Sequence, residues 1–158
     1  MKTLIVYDSQ FGNTEQVAQA IGRALGEEAS VVRADGVDAD KLNEYELVIV
    51  GSPTQGGRPT PLTKGFLDRI PAGGLKGVNV TGFDTRIESR AQGFVLRTFM
   101  GLLGYAAGRI ARKLESKGGK LIAPAQGFFV EGKEGPLSDR ELERAGAWAS
   151  SIARTPVA

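Results

Sequence analysis

Cysteine and histidine are both absent from the 158 residues. That excludes disulfides, thiolate nucleophiles, imidazole bases and the usual zinc sites, and the expectation is a site with no metal. No apolar run approaches the roughly 20 residues that a membrane-crossing helix needs. The chain opens on an apolar strand and not on a basic and apolar leader, so a cytoplasmic protein with no membrane partner is expected. Any chemistry has to come from carboxylates, hydroxyls, amides or a borrowed cofactor. What is present is 41% hydrophobic residues over a length suited to one domain, 1–158, able to bury a sizeable core.

The most informative stretch is Thr3-Leu4-Ile5-Val6-Tyr7-Asp8-Ser9-Gln10-Phe11-Gly12-Asn13-Thr14, which runs into Glu15-Gln16-Val17-Ala18. An apolar strand feeds a hydroxyl- and glycine-containing turn that opens a helix, and that arrangement builds a phosphate site. Ser9 and Thr14 offer hydroxyls, and the amides of Gln10 to Thr14 are free because the first turn of a helix has no internal acceptors for them. No Lys or Arg lies between Ser9 and Thr14. A dianion there is held by amides, hydroxyls and the partial positive end of the helix, about half a charge, and by no formal cation of that loop. The competing reading is that Asn13 or Thr14 merely caps the helix.

Periodicity predicts strands at Thr3–Tyr7, Val31–Val32, Leu47–Val50, Val78–Phe83 and Leu121–Val130. Helical spacing falls between them, at Glu15–Leu25, Thr63–Ile70 and Tyr105–Lys117. A final helix is expected after the capping box Ser138-Asp139-Arg140-Glu141, with Leu142, Ala145, Ala149 and Ile152 on one face. Strands separated by helices imply right-handed crossovers and a doubly wound, five-stranded parallel sheet of order 2-1-3-4-5 in three α/β/α layers. Ligands of such a sheet sit at the carboxyl ends of its strands, beside the switch between strands 1 and 3. Three loops are expected to converge there: Asp8–Thr14, Gly51–Pro61 and Asp84–Gly104, the last helical over Gly93–Met100.

Together, Ile5 to Thr14, the Gly51-Ser52-Pro53-Thr54 loop and the chain length resemble a short-chain flavodoxin. Gly82-Phe83-Asp84-Thr85-Arg86 and Phe128-Phe129-Val130-Glu131-Gly132 with Gly135-Pro136-Leu137 are also similar to segments of flavodoxin-like proteins. The resemblance covers essentially the whole chain. It implies FMN as cofactor and electron transfer between redox partners as activity. By it, Ser9, Gln10, Phe11, Gly12, Asn13 and Thr14 hold the FMN phosphate. Pro53, Thr54, Gln55, Gly56, Gly57 and Arg58 lie along one side of the isoalloxazine, and Asp84, Thr85 and Arg86 approach its pyrimidine edge.

Departures from that pattern carry their own expectations. Phe11 stands where familiar flavodoxins have Thr, which removes one hydroxyl donor. Gly51–Pro61 lacks the Trp with which many flavodoxins cover the flavin. Trp148, on the last helix, is expected to anchor the core, while Tyr105, Phe94 and Phe99 remain candidate ring neighbours. Arg58 and Arg86, placed near the ring, would stabilise negative charge and make the second redox couple less reducing; the alternative is that both are exposed loop side chains. The Gly56–Gly57 peptide is either a carbonyl that turns toward or away from flavin N5 or an ordinary Gly-Gly turn.

Formal charge is +2 overall, but Arg86, Arg90, Arg97, Arg109, Arg112, Lys113, Lys117 and Lys120 concentrate in one segment. A basic rim implies acidic redox partners; no nucleic-acid module is present. The apolar run Phe94-Val95-Leu96 with Phe99-Met100 and Leu102-Leu103 is expected in the core. Two alternatives to the electron carrier stand: an NAD(P)H-dependent FMN quinone reductase, and a flavin-free binding module on the same fold.

Overall fold

A computed structural model describes residues 1–87 and 105–156 of the chain. Its strands β1 (Thr3–Tyr7), β2 (Ala29–Arg33), β3 (Leu47–Pro53), β4 (Asn79–Ile87), β5 (Lys120–Leu121) and β6 (Gln126–Val130) form one parallel sheet. The order is β2-β1-β3-β4-β5, with β6 also paired to β4. Helices α1 (Asn13–Leu25), α2 (Pro61–Arg69), α3 (Ala106–Ser116) and α4 (Glu141–Ala153) cover it.

Alternation along the central strands explains why both faces are covered, since successive side chains point to opposite sides of a sheet. Leu4, Val6, Val48, Val50 and Val80 pack on one face with Phe66, Leu67 and Ile70 of the α2 region and Ile110 and Leu114 of α3. Ile5, Leu47, Ile49, Phe83 and Phe128 pack on the other with Val17 and Ile21 of α1 and Ala145, Ala149 and Ile152 of α4. Trp148 is partly buried in that second core, edge-on to Phe83 and Phe128, as expected.

Several boundaries differ from the sequence expectation. The expected single strand Leu121–Val130 is two short strands. β5 pairs Lys120 and Leu121 with Asn79 and Val80, whereas β6 pairs residues 126–130 with Phe83 to Ile87. Between them Pro124 has no N–H with which to continue a ladder, and the Thr81 hydroxyl instead donates to the Ala123 carbonyl at 2.9 Å. β4 runs four residues beyond Phe83, so Asp84 to Ile87 are strand and not loop. Helix α2 starts two residues early: the Thr60 side chain accepts from Thr63 N–H and Pro61 occupies the first turn.

The capping box at Ser138 does not form. Arg140 precedes α4 at φ 66°, and no side chain caps the helix. Glu141, buried, accepts instead from the Phe129 amide at 2.6 Å and from Arg144 at 2.6 and 2.9 Å. A tertiary partner on β6 outcompetes the local one three residues away. Gly93–Met100, Phe94, Phe99 and the apolar run lie outside the described residues.

Candidate functional site

The carboxyl ends of β1, β3, β4 and β6 converge on a cleft of about 380 Å³, lined by Ser9, Gln10, Phe11, Asn13, Thr14, Pro53, Thr54, Gln55, Thr85, Arg86, Ile87, Val130 and Lys133. That volume lies within the range of small-molecule sites, and its position beside the β1/β3 switch is where this sheet order binds ligands.

Its floor is the start of α1. Gly12 turns the chain in the left-handed region at φ 91°. The helix is capped by Ser9, and by neither Asn13 nor Thr14: Ser9 Oγ accepts from the Gly12 amide at 3.0 Å and the Glu15 amide at 3.3 Å. Among the described residues, the amides of Gln10, Phe11, Asn13 and Thr14 donate to no protein acceptor. Two free N–H groups on the first turn of this 13-residue helix and two in the turn before it are a donor set suited to an anionic phosphate. Asn13 and Thr14 are buried. The Asn13 Nδ2 donates to the Glu134 carbonyl at 3.1 Å, and the Thr14 and Thr85 hydroxyls share a bond of 2.8 Å.

Asp8, which no sequence signal had marked, ties the first two loops together. Its Oδ2 accepts from the Thr60 hydroxyl at 2.6 Å and its Oδ1 from the Ser9 amide at 2.8 Å, while Ser52 Oγ accepts from the Thr60 amide at 2.9 Å. Gln10 and Gln55 then bridge the two loops at the mouth, 2.9 Å apart. Thr54 is held from both sides, its amide donating to Thr85 O at 2.9 Å and its Oγ1 accepting from the Ala106 amide at 3.1 Å.

Part of the lining is apolar, from Phe11, Pro53, Ile87 and Val130. Phe11 and Ile87, 42% and 37% exposed, are two of the three large exposed hydrophobic side chains among the described residues, and both face this cleft. A few apolar side chains among convergent polar groups are the usual lining of a small-molecule site.

Other expected site residues are placed elsewhere. Gln55 and Arg58 pair through both backbone bonds, at 2.8 and 3.1 Å, around Gly56 and Gly57, whose positive φ of 58° and 80° fit a two-residue hairpin turn. The Gly57 carbonyl is held by Arg109 Nε at 2.9 Å. Gly56, Gly57 and Arg58 do not line the cleft. Arg58 instead borders a neighbouring groove with Pro59, Lys64, Asp68, Arg109 and Lys113. Asp84 lies fully buried beneath the cleft, its carboxylate taken by Arg86 at 2.7 and 2.9 Å and by the Ala107 amide at 2.9 Å. Arg86 stacks over Tyr105, 3.6 Å from the ring centre, so Tyr105 is occupied by the guanidinium. Arg86 therefore reaches the cleft as half of an ion pair and not as a free cation.

Ile87, Val130 and Lys133 were not among the sequence candidates. A strand register carried past Phe83 would have found Ile87. The rule that every strand's carboxyl end faces the ligand would have added a fourth loop, 131–137, and with it Lys133.

A doubly wound α/β sheet with free amides at a helix start and a partly apolar cleft at the switch point defines a flavodoxin-like fold class. Comparison with known proteins narrows it. The flavodoxin family model matches residues 5–148, and the chain belongs to the flavodoxin family. Flavodoxins are themselves the standard example of this strand order with FMN at its switch point. The fold is similar to that of an archaeal flavodoxin, at 24% identity over 97% of this chain and 96% of that one, TM-score 0.75. Oxidised flavodoxin 2 of Bacillus cereus is similar at 24% identity over 97% and 98% of the two chains, TM-score 0.75. Two-electron reduced Megasphaera elsdenii flavodoxin is similar at 23% over 94% and 98%, TM-score 0.67. Family membership implies FMN as the cofactor, and the four unpartnered amides, the Ser9 and Thr14 hydroxyls and the partly apolar lining fit that group.

Proposed function

We propose that this flavodoxin carries electrons between redox proteins through FMN held in the cleft at the switch point, in a single cytoplasmic domain. The observation that carries the reading is the set of amides at Gln10, Phe11, Asn13 and Thr14 that are unpartnered among the described residues, at a cleft partly lined by Phe11, Pro53, Ile87 and Val130. Ser9, Gln10, Phe11, Gly12, Asn13 and Thr14 hold the phosphate. Ser9 acts through its hydroxyl proton, because its oxygen only accepts from the Gly12 and Glu15 amides and its own amide is taken by Asp8. Pro53, Thr54 and Gln55 line the second wall, with Gly56, Gly57 and Arg58 behind them as the turn that fixes its position. Thr85 and Arg86 form the floor, backed by Asp84. When bound, FMN supplies the electron-accepting and electron-donating ring; the protein binds it, orients it and limits its exposure to water.

Electron transfer needs a partner at the open edge. Beside the cleft, Arg58, Lys64, Arg109 and Lys113 border one groove against a single carboxylate among the described residues, Asp68. Hydrogen bonds from Lys64 and Lys113 hold that carboxyl below the usual carboxylate range. The excess of positive charge supports an acidic redox partner, steered by long-range attraction. Among the described residues no helix is long and apolar enough to cross a membrane.

The deciding experiment is the visible spectrum of the purified protein, followed by an FMN titration read by flavin fluorescence. Stoichiometric quenching is expected, and its absence would return the chain to the flavin-free alternative. Steady NAD(P)H oxidation by the loaded protein with added quinone would instead make it a reductase.

A further inference from the structure

The phosphate loop has no cation of its own, yet the fold brings one to it. Lys133 lines the cleft from the turn after β6, about 120 positions further along the chain than the residues it faces. That turn is built and not merely adjacent. The Glu131 amide donates to Pro136 O at 2.9 Å, the Gly135 amide to Gly132 O at 3.0 Å, and Val130 bridges to Leu137. Its tip is fastened to the start of α1 by Asn13 Nδ2 donating to Glu134 O at 3.1 Å. Gly135, at φ 103°, sits so close that a Cβ there would fall 2.6 Å from Asn13 Oδ1. The residue after Lys133 is therefore bonded to the residue that begins α1, which holds the turn carrying the lysine against the helix start where the free amides are. Glu131 and Glu134 flank Lys133 in sequence, but among the described residues Lys133 makes no ion pair.

We infer that Lys133 supplies the formal positive charge for the FMN phosphate, completing in three dimensions a site whose own loop is uncharged. This inference rests on the FMN reading above. A phosphate monoester carries close to two negative charges at neutral pH, and an ammonium on a flexible stem meets it as a point charge. The exposed stem lets it close onto the phosphate after the amides have engaged. Riboflavin, which lacks the phosphate, gains nothing from the lysine.

The test is the affinity of wild type, Lys133→Gln and Lys133→Arg for FMN and for riboflavin, each at low and high salt. Lys133→Gln is expected to weaken FMN about three- to tenfold, leave riboflavin unchanged, and flatten the salt dependence of FMN binding. Lys133→Arg is expected to bind FMN within about twofold of wild type, since the charge is kept. Equal losses for both flavins, or no loss for FMN, would overturn the assignment while leaving FMN binding intact. A wild type that binds neither flavin would overturn the FMN reading and this inference together.

Discussion

The hydroxyls of Thr14 and Thr85 lie 2.8 Å apart in the buried floor of the cleft, joining residues 71 positions apart. The bond clips the first turn of α1 to the carboxyl half of β4. Each hydroxyl has one proton to give, so the pair uses one and keeps one. When Thr85 donates and Thr14 accepts, the remaining proton is on Thr14, which is then at once a structural clip and a candidate phosphate donor.

Replacing Thr14 by Val leaves the Thr85 hydroxyl buried without its partner. Urea denaturation is expected to show a loss of about 1–2 kcal/mol. Adding Thr85→Val should cost less than the two single losses combined, because the second change removes a group already orphaned. Additive losses would show that the two hydroxyls act independently.

Arg86→Met strands Asp84, whose side chain is fully buried, with only the Ala107 amide as partner among the described residues. The expected loss is about 3–5 kcal/mol. Asp84→Asn in the same chain should recover a large part of it, since the uncompensated charge is then gone. The same pairing bears on redox tuning. With its charge matched by Asp84, Arg86 should shift the second flavin midpoint less than a free guanidinium, and potentiometry of Asp84→Asn should show the shift released.

Glu141 supplies the pH dependence. Burial pulls its carboxyl upward, but hydrogen bonds from Arg144 and from the Phe129 amide outweigh it and hold the group below its ordinary value. Its stabilisation is therefore complete above the unfolded value of about 4.3 and is lost as pH falls through the lower folded value. Denaturation midpoints of wild type should drop across that acid window, and Glu141→Gln should flatten the drop. An unchanged slope would remove Glu141 from the account.

Gly51 lies under Phe83, and a Cβ there would meet the ring at 2.0 Å. Gly51→Ala should destabilise by about 2–3 kcal/mol through overpacking, with partial relief from Phe83→Leu. Thermal melts of the two variants check it.

The basic groove gives a kinetic prediction. Changing Arg58 and Lys64 to Glu should slow electron exchange with an acidic iron–sulfur protein by about tenfold at low salt and converge on wild type at high salt. Stopped-flow traces at two ionic strengths measure it; a salt-independent rate would rule out that surface.

Sequence by itself determined the sheet order and the end of the sheet at which the cleft opens. Apolar runs at Thr3–Tyr7 and Leu47–Val50 alternate faces, α1 has its i, i+4 stripe, and strands separated by helices leave few topologies. The Ser9 to Thr14 turn was legible for the same reason: free amides at a helix start are a local property of the chain. Other features needed tertiary structure, because they depend on partners far along the chain. Pro124 split a strand that composition alone made continuous. Glu141 abandoned its local cap for Phe129 and Arg144, and Arg86 found Asp84 and Tyr105 and ceased to be a free cation. Asp8 and Lys133 carry no signal in their own neighbourhoods; each acquires a role only where folding brings separate loops together, at Thr60 for the one and at the start of α1 for the other. Backbone pattern is set by near neighbours, whereas the charge and hydrogen bonding of a site are set by whichever side chains the packed sheet leaves facing one another.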